Sequence, residues 1–193
     1  MRRLMGFIDG TNLLTEMSKA IDVPFSPYNP SEPVIRLAGM IINVLVHSRL
    51  EIVKVCPDVV VHRLHWFSSH QGSEETMNQL RTWLRRSGFE PTLLKKSKDK
   101  GEKGVDIALT REMLVNAFYR NYEIGLLVSG DEDYVGLVQD VKRFGPVVYG
   151  SFFESGLCPE LKLCFDHFEM LAVWGNGHKE LVQEIARLHR NSK

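Results

Sequence analysis

The sequence predicts an α/β fold on a central, mainly parallel sheet, and three observations carry that expectation. Short apolar runs alternate with amphipathic segments along the whole chain, the pattern of repeated strand-helix units. The run at 123–129, EIGLLVS, is almost wholly apolar, as a strand covered on both faces must be. Acidic residues follow directly on two apolar runs, at Asp9 and Asp131, which is where an open parallel sheet places its ligands.

The elements follow in order. Residues 4–8 read as the first strand, ending at Asp9-Gly10. Pro24, Pro27, Pro30 and Pro33 make 24–33 an irregular loop. A helix fits 34–46 and extends toward Lys54, so that 24–55 forms a Pro-rich insertion plus helix. Residues 59–66 make a second strand. Ser73 caps a helix over 74–86, with Gly88 just past its end. A third strand at 89–94 leads into the lysine-rich stretch 95–104, and a helix over 105–119 buries Ile107, Leu109, Met113, Leu114 and Ala117. After the strand at 123–129, the loop SGDEDY opens a helix ending near Arg143. A fifth strand at 146–149, a helix near 160–165, a short apolar element at 168–173 and a last helix at 178–190 complete the chain. No repeat or linker divides it, so residues 1–193 are expected to form one domain.

Composition narrows the function classes. Lys plus Arg number 24 and Asp plus Glu number 24, which argues against a polycation that coats nucleic acid indiscriminately. With 44% hydrophobic residues the chain is neither disordered nor fibrous. Cys56, Cys158 and Cys164 lie too far apart for a CxxC site and suit a reducing compartment. The N-terminal apolar stretch is interrupted by Asp9 too early for a signal peptide, and the run at 34–46 is too short to span a bilayer. A cytoplasmic protein without a membrane partner is expected. The apolar sides of the helices at 34–46 and 178–190 suit either a homodimer contact or the sheet of their own chain.

The chemistry-bearing residues are carboxylates. Asp9 and Asp131, with Asp133 beside it, sit at strand ends, and Asp106 opens a helix. Each alone has an ordinary reading, as a turn residue or as a cap complementing a helix dipole. Convergence of several at one sheet edge calls for positive charge, because clustered carboxylates are costly unpaired. Asp oxygens and the Asn12 carbonyl suit Mg²⁺ or Mn²⁺, which polarise phosphoryl oxygens and acidify bound water.

The strings FIDGTNLL at 7–14, KGVDIALTREML at 103–114 and LLVSGDEDYVGLVQDVKRFG at 126–145 resemble the NYN domain, in that family's order. The NYN domain is a branch of the PIN-like ribonuclease superfamily that includes the LabA-like proteins, and the resemblance spans about 4–172. It implies a PIN-like, Rossmann-like three-layer α/β/α sandwich and Mg²⁺- or Mn²⁺-dependent cleavage of RNA by an activated water. It places metal-binding acids at Asp9, Asp106 and Asp131, a supporting acid at Asp133, and site neighbours at Asn12, Ser129 and Lys103. Many members have Asp where this chain has Glu112. Six helical steps put Glu112 about 120° from the face of Asp106, away from a shared ion.

Substrate contacts are expected from Lys95, Lys96, Lys98, Lys100 and Lys103, whose loop leads into Asp106 and can meet phosphates. Tyr134, next to the acids, is a candidate for stacking on single-stranded RNA. His62 and His65 point to opposite faces of a strand and do not share a metal. Two other readings stand beside the ribonuclease. A catalytically idle RNA- or protein-binding regulator would use the same fold. A haloacid-dehalogenase-like phosphatase would need a second acid at position 11, where the chain has Thr11.

Overall fold

The apolar run that opens the chain becomes the middle of a sheet. In the computed structural model, which describes residues 1–96, 103–173 and 176–191, β1 (Arg2–Asp9) pairs in parallel with β2 (Val59–His70) on one side and β4 (Ile124–Val128) on the other. Outside them lie β3 (Glu90–Lys95), β5 (Val147–Phe152) and β6 (His167–Met170), giving the all-parallel order β3-β2-β1-β4-β5-β6. Burial on both faces explains why β1 and β4 read as continuous apolar runs.

Helices cover both faces. On one face, Leu4 and Ile8 of β1 meet α1 (Gly10–Ala20), α2 (Glu32–Val44), α4 (Glu74–Arg86) and α8 (Asn176–Asn191). On the other, Met5 and Phe7 meet α5 (Lys103–Phe118), α6 (Val135–Arg143) and α7 (Pro159–Cys164). The alternation of β1 side chains between the two cores follows from the two-residue period of a strand. This is a three-layer α/β/α arrangement of PIN-like type. Among the described residues, no helix is long and apolar enough to cross a membrane.

Several elements depart from the sequence expectation. Helix α1 is absent from it, because Gly10, Thr11 and Asn12 resemble a turn, whereas Leu13, Leu14 and Met17 dock on the sheet and pull the segment into a helix. β2 runs on to His70 through three buried polar residues, each of which makes a hydrogen-bond contact, while His70 Nδ1 is buried without a partner. The Ser68 hydroxyl accepts from Trp66 Nε1 (3.0 Å), Ser69 N donates to Thr11 Oγ1 (3.0 Å), and the His70 ring lies 2.9 Å from Thr76 Oγ1. The helix expected to continue toward Lys54 instead passes through a π-helical stretch, Leu45–Arg49. It breaks at Leu50 (φ −58°, ψ 129°) before α3 (Glu51–Val55). Ile107 lies on the outer side of α5 and is 65% exposed, while Leu109, Met113 and Ala117 are buried as expected.

The apolar side of α2 is settled by packing. Val34, Ile35, Leu37, Ala38, Ile41 and Ile42 are all fully buried in the core shared with α4 and α8, so they cover their own sheet rather than a second copy. At α4, the Ser73 hydroxyl accepts from Thr76 N at 3.2 Å and Gly88 takes φ +88° just past the helix, a left-handed turn that glycine adopts without strain. Ser73→Ala is expected to destabilise the protein by about 1 kcal/mol in thermal denaturation, since it leaves one helix N–H unpaired.

Candidate active site

β1 and β4 are neighbours in the sheet, but the chain leaves them in opposite directions, toward β2 and β3 on one side and β5 and β6 on the other. Their carboxyl ends therefore flank a switch point, where parallel sheets open a crevice. Asp9 ends β1, and Ser129-Gly130-Asp131 follows β4. Asn12 ties the two ends together: its Oδ1 accepts from Gly130 N (3.0 Å) and from the Ser129 hydroxyl (3.3 Å). Ser129 Oγ in turn accepts from Asp131 N at 3.3 Å.

A cavity of about 280 Å³ lies at this point, lined by the carboxylates of Asp9, Asp106 and Asp131 together with Asn12. Asp106 arrives from the first turn of α5. The capping roles are real as well. Asp9 Oδ1 accepts from Asn12 N (3.0 Å) at the start of α1, and Asp131 Oδ1 accepts from Asp133 N (3.1 Å). Capping and clustering are thus two uses of the same carboxylates. Thr11, Thr15 and Tyr28 also line the cavity and were missed from the sequence. The two threonines were accessible through their spacing, one helical turn apart, once α1 is recognised as a helix.

Burial dominates the electrostatics of the site. Asp9 is 4% exposed, and burial, followed by the charges of Asp106 and Asp131, pushes its carboxyl up to about 7. Among the described residues, no Lys, Arg or His lines the cavity. The Tyr134 hydroxyl lies 3.3 Å from Asp9 Oδ2 and 3.1 Å from Asp106 Oδ1, so its single proton serves only one carboxylate at a time. Burial and the two carboxylates together keep that phenol protonated.

Tyr134 therefore corrects one expectation. At 1% exposure its ring cannot stack on a base, and it acts from inside the protein, through its hydroxyl. Asp133 is exposed and does not line the cavity. Lys100 and its neighbours at 97–102 lie outside the described residues, and Lys103 is placed only as the first residue of α5. Glu112 turns away, as its helical angle requires. It accepts from the Asn116 side-chain amide at 3.0 Å and lines a different cavity with Arg63 and His65.

The NYN domain family model matches residues 3–171. The chain belongs to the NYN domain family. That membership places it in the PIN-like nuclease superfamily. The same fold is seen in the crystal structure of a protein of unknown function from Vibrio parahaemolyticus. The TM-score is 0.62 over 88% of this chain and 92% of that one, at 17% identity, a likeness of fold alone. No curated protein matches the chain.

The donor set of this NYN site fits a hard divalent cation. Every polar side chain lining the cavity offers an oxygen, and among the described residues none that lines it carries positive charge. Among the described residues, no three His, Cys, Asp or Glu side chains are close enough to hold an ion jointly.

Proposed function

We propose that this NYN domain is a Mg²⁺- or Mn²⁺-dependent ribonuclease acting on single-stranded RNA in the cytoplasm. The observation that carries the reading is the cavity at the switch point, lined by three carboxylates from three separate segments of the chain. Asp9, Asp106 and Asp131 are the residues that would hold a hydrated ion, one or two of them directly and the rest through its water, and Asp133 is a supporting acid outside the cavity lining. When bound, the ion supplies an acidified water and a polarised phosphoryl oxygen, and the products are the two halves of a hydrolysed phosphodiester.

The chain's own residues supply positioning. Asn12 and Ser129 hold the ends of β1 and β4 at fixed separation, so Asp9 and Asp131 face one space. The buried Tyr134 hydroxyl lies within reach of both Asp9 and Asp106 and orients whichever of them accepts its proton. Lys103 and Lys100 are the proposed contacts to flanking phosphates, in the lysine-rich stretch that leads into Asp106. The free cysteines accord with a reducing compartment.

The test is cleavage of a labelled single-stranded RNA by purified protein in Mn²⁺, alongside chelator and the Asp131→Asn variant. Cleavage is expected to fall at least about 100-fold in either case. Cleavage unaffected by both overturns the metal mechanism. Tight RNA binding without cleavage under Mg²⁺ and Mn²⁺ instead identifies a regulator on the same fold.

A further inference from the structure

The Pro-rich segment between α1 and α2 contributes one side chain that neither the core nor the carboxylate cluster accounts for. Tyr28 is half-buried and lines the same cavity as Asp9, Asp106 and Asp131. Its backbone is fixed, because its carbonyl accepts from Gln71 N at 2.9 Å, just beyond β2. Pro27 and Pro30 on either side restrict the local backbone further. Its ring is also engaged: Lys96 Nζ lies 3.4 Å from the ring centroid. Lys96 is anchored in turn, its N–H donating to the His70 carbonyl at 2.8 Å. Three segments distant in sequence thus meet at one rim of the cavity and present an aromatic ring with a cation.

That pairing sets an aromatic face and a cation beside a cavity lined by carboxylates. A polyanion approaching Asp9, Asp106 and Asp131 needs positive charge at the rim, and a base needs a flat apolar surface. Bases stack on aromatic rings irrespective of their identity, and an ammonium held at the ring adds attraction for the adjoining phosphate. A paired base in a duplex has its faces covered by its neighbours and is not free to stack in this way.

We propose that Tyr28 and Lys96 form a nucleotide subsite beside the carboxylate cavity. The Tyr28 ring stacks on the unpaired base of a nucleotide flanking the bond to be cut, and Lys96 pairs with that nucleotide's phosphate. The subsite rests on the ribonuclease reading for the identity of its ligand, and it gives the Pro-rich segment a role in selecting unpaired RNA.

The experiment uses the Asp131→Asn background in Mn²⁺ and single-stranded oligoribonucleotides carrying one 2-aminopurine, walked along the strand. Stacking on Tyr28 is expected to quench the fluorescence at one or two positions only. Tyr28→Leu should remove that quench and weaken binding about 10-fold or more, while Tyr28→Phe retains both. Lys96→Met should reduce the slope of log affinity against log salt by about one. In the cleaving protein, Tyr28→Leu should raise KM and leave kcat close to unchanged. An unaltered quench and affinity in Tyr28→Leu, with the parent still binding, overturns the subsite alone. A parent that binds no single-stranded RNA and a wild type that cleaves none overturn both the subsite and the ribonuclease reading. Should Tyr28→Leu fail to fold, shown by loss of its melting transition, a quench absent from the Tyr28→Phe protein or an unchanged salt slope in Lys96→Met overturns the proposal.

Discussion

Asp9→Asn is expected to raise the melting temperature of the metal-free protein and, in the same molecule, to remove RNA cleavage. Asp9 is buried between two other carboxylates, and its carboxyl is held at about 7 instead of the ordinary 3.8. A group whose folded-state pKa is raised adds stability that is complete below its unfolded pKa and lost as pH rises through the folded one. Metal-free wild type should therefore lose stability between about pH 4 and pH 8. At 1.36 kcal/mol per pKa unit, the loss is about 4 kcal/mol. The introduced amide carries no charge, yet its oxygen can still accept from Asn12 N, so the cap of α1 survives. The variant should melt higher than wild type at pH 8 and converge with it near pH 4. Added Mn²⁺ should stabilise wild type at pH 8, by mass action, far more than it stabilises the variant. Equal melting temperatures at both pH values would show that Asp9 has an ordinary carboxyl in solution.

Gly130→Ala is the second large effect, and its origin is steric. A Cβ at Gly130 would sit 2.0 Å from the carbonyl oxygen of Gly156 and about 2.5 Å from the Phe152 ring. A backbone atom cannot turn aside as a side chain can. The same residue donates its N–H to Asn12 Oδ1 (3.0 Å), and its carbonyl accepts from Cys158 N (2.9 Å), so shifting it loosens both sides of the switch point. The variant is expected to be about 3 kcal/mol less stable in denaturant unfolding. Gly136 provides the comparison, since a Cβ there meets nothing within 4 Å and the position is an exposed helical one. Gly136→Ala should be neutral or stabilising by about 0.5 kcal/mol. If the two substitutions cost the same, close approach at Gly130 is not what fixes the loop.

The parallel sheet and most of its helices could be read from the chain because their signals are local. The unbroken apolar run of β4 and the Ser73 to Gly88 punctuation around α4 each occupy one window of sequence. Asp9 and Asp131 could be placed because strand ends announce themselves by the change from apolar to acidic, whereas Asp106 opens a helix and was placed by the family resemblance. Helix α1 was hidden because its first residues have turn chemistry and only docking of Leu13, Leu14 and Met17 overrides it. Tyr28 was hidden for a different reason. Its place at the cavity depends on Gln71 and Lys96, which no local pattern connects to a proline-rich loop. Tyr134 was misread because adjacency in sequence to two exposed acids says nothing about which way a 3-10 turn sends its last side chain.

The strand order has a consequence for when the molecule becomes chemically competent. β1 emerges first from the ribosome, yet one of its two neighbours, β4, is among the later strands. The bond that draws the two halves of the crevice together joins residues 118 positions apart. Until then the edge of β1 that belongs to β4 stays open, and pairing at such range is slow, because the intervening chain must first be brought to order. An unfinished chain thus carries Asp9 without Asp106 or Asp131. On the proposed reading, a nascent nuclease made this way is inert beside the RNA that encodes it, and its activity begins only when the middle of the sheet closes.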